Sequence, residues 1–421
     1  MVVTMGQQFD VVVLGAGIIG TSVAATLQMR GRHTALVDRL APGMGTSFGN
    51  AGLIQNEAVM PYLFPRAIGD LLRYARNRSI DASYQPAGLP ALAGPFLRYW
   101  HNSRADRAMA IAHARAPLFA RSIADHCELA KAAGALDLLK PTGWSKVFYT
   151  QGLFDRAIAD AELAARELGV PFVPMDARSL AAHEPHLSHD LIGGIHWPEP
   201  RSVADPLALT QAYVDLFTGK GGTVLTGDAR SLERGATGWH LVTQSGPITA
   251  RAIVVALGPW SPVVTNTLGY RAPYFVKRGY HRHFAATAGG LTRPILDAEN
   301  GYILAPMRHG IRLTTGAEFA DRDAPARPVQ IARALPKARH LFPTLGDTVD
   351  PEAWLGSRPC LPDMLPVIGP APGQPDAWFA FGHAHHGLTL GPTTGRMIAD
   401  MIDGHAPEID PTPYRADRFQ A

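Results

Sequence analysis

The stretch from residue 9 to residue 39 constrains the fold more than any other part of this sequence. It opens with an apolar run, 9–14, which is rich in β-branched residues and short enough to be a buried parallel strand. A glycine motif then leads into a helix, and a second strand at 33–37 ends in Asp38. The glycines of the motif are Gly15, Gly17 and Gly20. This spacing allows a tight turn, lets a pyrophosphate approach the helix N-terminus, and leaves a carboxylate within reach of ribose hydroxyls. The stretch therefore predicts a βαβ unit that binds a dinucleotide.

A membrane anchor is the alternative interpretation of residues 9–27, because most of them are apolar. Asp10, the glycines and two threonines argue against it, and no apolar run reaches the roughly eighteen residues that a spanning helix needs. We therefore retain the βαβ interpretation.

The whole chain limits the class of protein. A length of 421 residues exceeds what one hydrophobic core usually serves, so we expect two lobes. The net charge of +3 is small for this length and no polybasic tail is present, so nucleic acid is not an expected partner. Cys127 and Cys360 are too few for a disulfide framework or a thiolate-rich metal site, and the first eight residues lack a secretory pattern. We therefore expect a globular enzyme of a reducing compartment, the cytoplasm.

A loop at 42–52 follows the second strand and is dense in Gly, Thr, Ser and Asn. Its glycines let the backbone approach a ligand, and Thr46, Ser47 and Asn50 offer hydroxyl and amide partners. Such a loop can wrap a flat ring. Taken alone, the pattern fits a plain surface turn at least as well.

An amphipathic pattern lies in the segment 61–140, which is predicted to be helical. Four apolar residues share one face, and arginines lie elsewhere; the apolar residues are Ile68, Leu71, Leu72 and Ala75, and the arginines are Arg66, Arg73, Arg76 and Arg78. Such a helix can rest on a membrane. A helix that packs on its own lobe shows the same period, and this is the interpretation we favour.

The rest of the sequence predicts a second, sheet-based lobe and segments that return the chain to the first lobe. Asp205 before Pro206 marks a helix start, and a second strand-to-glycine junction lies at 252–258. Strands dominate 272–350, with a helix at 329–341. Residues 382–395 predict a second ligand loop that leads into a helix N-terminus.

These motifs together resemble the D-amino-acid oxidase and dehydrogenase superfamily of flavoproteins, and most closely its bacterial D-amino-acid dehydrogenases. The resemblance covers nearly the full length. It rests on GAGIIG at 15–20, TSFGNAG at 46–52, KRGY at 277–280, GSRPCLPDMLPVIG at 356–369 and GHAHHGLTLGPTTG at 382–395. Asp38 stands where many members have Glu, and the second lobe matches loosely, which leaves the substrate open.

The resemblance implies an α/β fold in which an FAD-binding Rossmann-like domain is combined with a discontinuous, sheet-based α+β substrate domain. The implied FAD-binding domain comprises 1–57, 200–268 and 352–421, and the substrate domain comprises 58–199 and 269–351. FAD is expected to be held non-covalently, because a free cysteine such as Cys360 is usually a buried apolar residue rather than an attachment point.

The resemblance also implies a set of cofactor-binding residues. The glycine motif would hold the FAD pyrophosphate, Asp38 the adenosine ribose, and the 42–52 loop the diphosphate and isoalloxazine. Backbone amides of the 382–395 loop, with the dipole of the helix that follows, would hold the flavin N1 and C2 carbonyl. The residues are Gly15, Gly17, Ile18, Ile19, Gly20, Asp38, Arg39, Thr46, Ser47, Asn50, Ala51, Gly52, Gly258, Trp260, Gly387, Leu388, Thr389 and Leu390.

For the substrate, the resemblance places Arg358 as the planar cation that binds an α-carboxylate, ahead of Arg278 and Arg308. Tyr280 and Tyr302 would add phenolic hydrogen bonds or simply pack, and His383 would face the flavin. The neighbouring histidines 385 and 386 lack the spacing of metal ligands, so no metal is expected.

The implied reaction is transfer of a hydride from the α-carbon of a D-amino acid, or of a cyclic imino acid of the D-proline type, to flavin N5. The product would be an imino acid that hydrolyses to a 2-oxo acid, and electrons would pass to a quinone-type acceptor or a redox protein. A near alternative is an oxygen-using oxidase of the same fold that acts on glycine or N-methyl amino acids. A nicotinamide-dependent dehydrogenase and a non-catalytic binding protein are more distant alternatives. The amphipathic segment leaves open a peripheral contact with the inner face of the cytoplasmic membrane.

Overall fold

The computed structural model describes residues 7–287 and 289–420, which form a mixed α/β fold. The strands are β1 (Gln7–Leu14), β2 (Thr34–Asp38), β3 (Leu53–Ile54), β4 (Ala82–Tyr84), β5 (Leu139–Lys140), β6 (Trp144–Phe148), β7 (Val173–Asp176), β8 (Gly193–Trp197), β9 (Arg201–Val203), β10 (Thr223–Thr226), β11 (Glu233–Arg234), β12 (Trp239–Thr243), β13 (Gly246–Val255), β14 (Phe275–Ala286), β15 (Ile295–Asp297), β16 (Tyr302–Met307), β17 (Gly310–Thr314), β18 (Ala317–Phe319), β19 (Leu345–Thr348), β20 (Trp354–Cys360), β21 (Val367–Pro370) and β22 (Ala377–Phe381). The helices are α1 (Ile18–Met29), α2 (Ile68–Ala75), α3 (Leu89–Asn102), α4 (Ala105–Ala132), α5 (Gln151–Leu168), α6 (Ala177–His183), α7 (Pro206–Gly219), α8 (Pro262–Thr265), α9 (Val329–Leu341) and α10 (Gly387–Ile402).

The predicted βαβ unit is the centre of an eight-stranded sheet. β1 pairs in parallel with β2 on one side and with β13 on the other, and β10 and β22 extend the parallel part. Residues of β1 alternate between two cores, with Val11 and Val13 in one and Val12 and Leu14 in the other. Burial on both faces is why this strand is continuously apolar. The predicted return of the chain at 252–258 is confirmed by the β1–β13 pairing.

The second large sheet has eleven strands and is built around the long strand β14. β14 pairs antiparallel with β17, β18, β19 and β20, and β16 and β15 continue the sheet to β6, β8 and β7. β20 contains a proline at 359, yet it runs as a strand against β14. β20 lies in the segment 352–421, which the sequence assigns to the FAD-binding domain, yet it pairs with β14 of the segment assigned to the substrate domain. The domain boundaries therefore stay a prediction.

The start of α10 differs from the sequence prediction. The sequence predicts a ligand loop over 382–395, but the helix begins at Gly387 and includes Pro392. The reason is close packing of α10 on α1, because a Cβ at Gly391 would lie 3.0 Å from Ser22 Oγ and a Cβ at Gly395 would lie 2.8 Å from Ser22 O. The glycines that suggest a loop are therefore helix-packing glycines.

The amphipathic segment also differs from the favoured interpretation. α2 forms where the pattern predicts it, but none of its residues is buried. The helix does not bury its apolar stripe on its own lobe. Among the described residues, no helix combines the length and the apolarity that crossing a bilayer requires.

Candidate active site

One cavity of about 1030 Å³ brings together most of the segments that the sequence singles out. Ligand pockets in proteins usually measure roughly 300–1,000 Å³, so this cavity has room for a large cofactor. The predicted site residues that line it are Gly15, Gly17, Ile18, Ile19, Asp38, Arg39, Thr46, Ser47, Asn50, Ala51, Gly258, Trp260, Tyr280, Arg358, His383, Gly387 and Leu388. Those that do not line it are Gly20, Gly52, Tyr302, Thr389 and Leu390.

The glycine motif has the geometry of a tight strand-to-helix turn. Gly15 has a φ of +104°, and a Cβ there would lie 2.4 Å from the carbonyl oxygen of Ala256 on the neighbouring strand connection. A Cβ at Gly20 would lie 1.8 Å from Gly15 O, which explains why Gly20 packs beneath the turn and does not line the cavity. Only glycine fits at these two positions.

The N-terminus of α1 opens into the cavity. Gly17 precedes the helix without a side-chain cap, and the amide of Ile18 donates to Ser47 Oγ at 2.9 Å. Asp38 accepts from the amide of Ala16 at 2.7 Å, which ties the end of β2 to the glycine turn. First-turn amides and the helix dipole favour an anion at this position.

The 42–52 loop is held by two strands of the second large sheet and by a hydrogen bond within the loop. Thr46 Oγ1 donates to the carbonyl of Ser357 in β20 at 3.0 Å, and Asn50 Oδ1 accepts from the amide of Gly52 at 2.9 Å. Arg312 of β17 donates to the carbonyl of Asn50. A loop fixed in this way presents a shaped wall to a ligand, which is more than a surface turn would do.

The start of α10 lies at the cavity as a second helix N-terminus. Gly387 and Leu388 line the cavity, and the preceding His386 provides no side-chain cap. His126 fixes this turn, because its Nε2 lies 2.6 Å from the carbonyl of Leu388 and its Nδ1 lies 2.9 Å from the hydroxyl of Tyr213. Burial lowers the pKa of His126 to about 4, so the ring is neutral at pH 7. Since a carbonyl only accepts, the proton is on Nε2 and Nδ1 accepts from Tyr213.

Two further predicted residues form the wall near the 256–260 turn. Gly258 has a φ of +53°, and its carbonyl accepts from Tyr274 at 2.7 Å. The ring of Trp260 lies 5.1 Å from the guanidinium carbon of Arg39 and 5.6 Å from that of Arg322. This stack joins the end of β2 to the turn after β13.

Arg358 is placed differently from the other two candidate arginines. Arg278 is fully buried and pairs with Glu318 at 3.2 Å, and Arg308 is exposed and pairs with Asp205. Arg358 lines the cavity and donates to the carbonyls of Gly316 and Thr315 at 2.7 and 3.2 Å. Burial lowers its pKa, and in the described part of the chain no carboxylate forms an ion pair with it. A cation in this state is suited to bind an anion.

Lys277 is a cavity residue that the sequence prediction does not assign to the site. It lies directly opposite Arg358 in the β14–β20 pair, and its Nζ donates to the hydroxyl of Tyr99 at 2.8 Å. It is buried, and it lines the cavity. Lys277 belongs to the KRGY motif at 277–280, but no local pattern in the sequence indicates that its side chain faces the cavity.

The two tyrosines proposed for substrate contact both pack in the core of the second sheet. Tyr280 lines the cavity, but its hydroxyl donates to Glu318 at 2.8 Å and accepts from the amide of Arg327. Tyr302 lies outside the cavity, which its neighbour Ile303 lines instead, because successive side chains of β16 point to opposite faces. From this position Tyr302 packs in the core of the second sheet.

The histidines at the start of α10 are neutral. Burial lowers the pKa of His383 to about 3, and its Nε2 lies 2.9 Å from Thr394 Oγ1. Burial also lowers the pKa values of His385 and His386 far below the usual range, and nearby Arg358 and Arg115 add to the shift. No group of three or more His, Cys, Asp or Glu side chains in the described residues is arranged to hold a metal ion. Because the three histidines are uncharged, the positive charges near them are those of Arg358, Lys277 and Arg115, of which Arg358 and Lys277 line the cavity.

Glu57 is a buried carboxyl group that lines the same cavity. Its Oε1 accepts from Gln55 Nε2 at 2.6 Å and from Trp144 Nε1 at 2.7 Å. Burial raises its pKa to about 7, although these hydrogen bonds oppose the shift. The group is therefore partly protonated near neutral pH, and the sequence offered no sign of this.

The cavity fits FAD by its own geometry. Two helix N-termini open into it, the glycine turn leaves no room for a Cβ, and the loop and the Trp260 stack form the walls for a flat ring. Cys360 is fully buried and does not line the cavity. Fold and site together define a dinucleotide-binding oxidoreductase with a second, sheet-based lobe.

The sequence model of the DAO family, FAD dependent oxidoreductase, matches residues 10–401, and the chain belongs to this family. The chain is 28% identical to a D-amino-acid oxidase from Bradyrhizobium diazoefficiens over 99% of this chain and 100% of that protein. It is 31% identical to a D-amino acid dehydrogenase from Cereibacter sphaeroides over 98% of this chain and 95% of that protein. Among solved structures, the glycine oxidase from Geobacillus kaustophilus has a similar fold, with a TM-score of 0.77 and 22% sequence identity. The match covers 98% of this chain and 99% of the glycine oxidase chain. The predicted fold class and the FAD cofactor are confirmed.

Proposed function

We propose that this protein is an FAD-dependent dehydrogenase that oxidatively deaminates a D-amino acid or a D-proline-type cyclic imino acid. The supporting observation is the guanidinium of Arg358, which lines the cofactor cavity without an ion-pair partner among the described residues. A planar guanidinium suits a carboxylate because it can donate two parallel hydrogen bonds. The names of the similar proteins support the amino-acid class and the D configuration.

FAD would supply the acceptor for the α-hydrogen and its two electrons. The predicted cofactor-binding residues that line the cavity, of which Gly15 is the first and Leu388 the last in the sequence, would hold it. The α-carbon loses a hydride, the nitrogen loses a proton, and a C=N bond forms. Water converts this bond to a 2-oxo acid and ammonia when the substrate is a primary amino acid, and to an open-chain amino-2-oxo acid when the substrate is a cyclic imino acid. This protein's own part is to align the α-hydrogen with the acceptor.

The charges at the site support the protonation state that this reaction needs. Arg358 and Lys277 face the same cavity, and the histidines beside them are neutral. Two nearby cations bind the carboxylate and disfavour a substrate ammonium group. A neutral amine, which can release hydride from the α-carbon, is then favoured without a dedicated base.

A quinone-type acceptor is part of the proposal, and dioxygen is the alternative. The similarity to a D-amino-acid oxidase and, in fold, to glycine oxidase supports an oxidase that acts on glycine or N-methyl amino acids as the second candidate. The two candidates differ in the electron acceptor and in the substituents on the amine.

The first experiment is flavin bleaching under nitrogen with a panel of D-, L- and N-methyl amino acids and glycine. We expect bleaching with D-amino acids, and bleaching with glycine or sarcosine alone would overturn the proposal. Aerobic turnover with peroxide detection is then compared with turnover on a quinone. Arg358→Ala should raise KM at least a hundred-fold with the flavin content unchanged, and an unchanged KM would contradict the role of Arg358.

A further inference from the structure

Three polar side chains connect the second large sheet to the 42–52 loop. They are Asp350, which follows β19, His283 of β14 and Arg312 of β17. His283 and Arg312 lie directly opposite each other in the antiparallel β14–β17 pair, and both are buried. None of the three lines the cavity, so direct contact with substrate or FAD does not account for them.

The hydrogen bonds fix the protonation state of the His283 ring. Arg312 Nε donates to His283 Nε2 at 2.9 Å, and a guanidinium can only donate, so Nε2 carries no proton. The ring proton is therefore on Nδ1, which donates to Asp350 Oδ2 at 2.8 Å. The backbone amide of His283 donates to the same oxygen at 2.6 Å. The neutral imidazole thus bridges a carboxylate and a guanidinium.

The other end of the Arg312 guanidinium holds the loop. Its Nη1 donates to the carbonyl of Phe48 at 3.3 Å and to the carbonyl of Asn50. Gly49, between these two residues, packs so closely on the ring of Trp354 that a Cβ has no room. Gly49 and Asn50 line the cavity. The position of this part of the cofactor wall therefore depends on the orientation of one guanidinium.

The charges around His283 favour its neutral form. Burial and the charge of Arg312 lower the pKa of the ring, and the hydrogen bond to Asp350 opposes the shift without reversing it. His281, whose ring centroid is 5.2 Å away, is itself neutral because burial lowers its pKa to about 2. The titratable and charged groups around the ring are Arg312, Asp350, His281, His309 and Arg282.

We propose that Asp350, His283 and Arg312 form a relay that positions residues 48–50 against bound FAD, and that a proton on His283 Nε2 releases this segment. With a second ring proton, two donors would face each other, so the guanidinium would turn away and loosen its hold on the loop carbonyls. The three side chains are positioning residues, because they act through the loop. The proposal goes beyond the reaction, since binding of FAD requires no substrate.

The relay predicts a loss of FAD affinity in acid. FAD binds the form in which the loop is held and the pKa of His283 is lowered, whereas release of the loop returns that pKa toward its ordinary 6.5. The released form then binds the proton more tightly. Below pH 6.5 this proton should weaken FAD binding by at most about ten-fold per pH unit, because a single group titrates.

The test compares FAD retention by the wild-type holoenzyme and the His283→Gln holoenzyme. Both are equilibrated at pH 5, 6, 7 and 8, and free FAD is separated by ultrafiltration and quantified. Glutamine offers Arg312 an oxygen that does not titrate, so FAD affinity at pH 8 should match the wild type within about two-fold. At pH 5 the variant should bind FAD about five-fold or more tightly than the wild type. The matched control is His340→Gln, because His340 also pairs with an aspartate, Asp190, but is exposed on α9. It should keep the wild-type loss in acid.

Asp350→Asn keeps the proposal testable should His283→Gln not fold. The carboxylate raises the pKa of His283, so its removal should move the acid loss of FAD to lower pH. A purely structural role of Asp350 would instead weaken FAD binding equally at every pH.

The proposal is overturned if the wild type loses no FAD affinity in acid or if His283→Gln loses as much as the wild type. An unmoved acid loss in Asp350→Asn, or a loss abolished in His340→Gln, would also overturn it. None of these readouts depends on turnover, so a failure of the proposed reaction leaves this test intact.

Discussion

The guanidinium of Arg358 lies against the backbone of Gly279. A Cβ at residue 279 would be 2.5 Å from Arg358 Nη2 and 2.7 Å from its Cζ. The two residues are on neighbouring antiparallel strands, β14 and β20, whose register places Lys277 opposite Arg358. The missing side chain at 279 therefore provides the space in which the guanidinium is held over the cavity.

Gly279→Ala should displace the guanidinium without preventing folding, since the contacted atoms are the flexible end of a side chain. We expect KM for the amino acid to rise about ten-fold or more, because the carboxylate contact is misaligned. FAD content should not change. Steady-state kinetics and the flavin absorbance per polypeptide measure the two effects.

Gly219→Ala is the matched control for that substitution, because a Cβ there meets no atom within 4 Å. Its KM should equal that of the wild type. An unchanged KM in Gly279→Ala would show that the position of the Arg358 guanidinium does not limit substrate binding.

The glycine turn offers a test of cofactor binding. Gly15→Ala combines an unfavourable φ of +104° with a Cβ 2.4 Å from Ala256 O. The turn must shift, so we expect the affinity for FAD to fall at least ten-fold, as measured by titration of the apoprotein. Gly69→Ala, where a Cβ meets only open space, should bind FAD normally. A folded Gly15→Ala protein with full flavin content would contradict this role of the turn.

His126 tests whether the start of α10 must be fixed. His126→Phe leaves the buried carbonyl of Leu388 without its donor, which should lower the free energy of unfolding by about 1–3 kcal/mol. FAD affinity should fall as well, because the first turn of α10 lines the cavity. Tyr213→Phe is the control, since it removes only the donor to Nδ1 and keeps the bond to Leu388. Equal FAD affinity in His126→Phe and the wild type would argue against this positioning role.

Local patterns in the sequence predict local structure well. The helix at 329–341 has the predicted bounds, and Asp205 caps α7 by accepting from the amide of Ala208. In each case the signal lies within a few residues of the feature. The βαβ unit was recognisable for the same reason, because its strand, glycines, helix and acidic residue follow one another directly.

Features that depend on distant contacts were not predictable. The glycines of α10 resembled a loop because their partner, Ser22, lies on another helix. The spacing of apolar residues in α2 is the same for an exposed helix and for a helix that packs on its own lobe. The sequence alone therefore could not reveal that α2 is exposed. Lys277 and Glu57 enter the cavity through strand pairing and through contact with Trp144, neither of which leaves a local pattern.

Glu57 leads to a prediction about the pH dependence of stability. Burial raises the pKa of its carboxyl from 4.5 to about 7, so between these values the folded protein binds more protons than the unfolded chain. The free energy of unfolding then falls as pH rises, because the unfolded state binds fewer protons. The contribution is fully present below pH 4.5, is lost as pH rises through about 7, and amounts to at most about 3 kcal/mol.

Glu57→Gln should remove this slope, since the amide does not titrate and its oxygen can still accept from Trp144 and Gln55. We expect the variant to be at least as stable as the wild type at pH 8 and to lose that relative advantage near pH 5. Urea unfolding at pH 5, 6, 7 and 8 measures the difference directly. Parallel curves for the two proteins over this range would show that Glu57 titrates at its ordinary pKa and is hydrated in the folded protein.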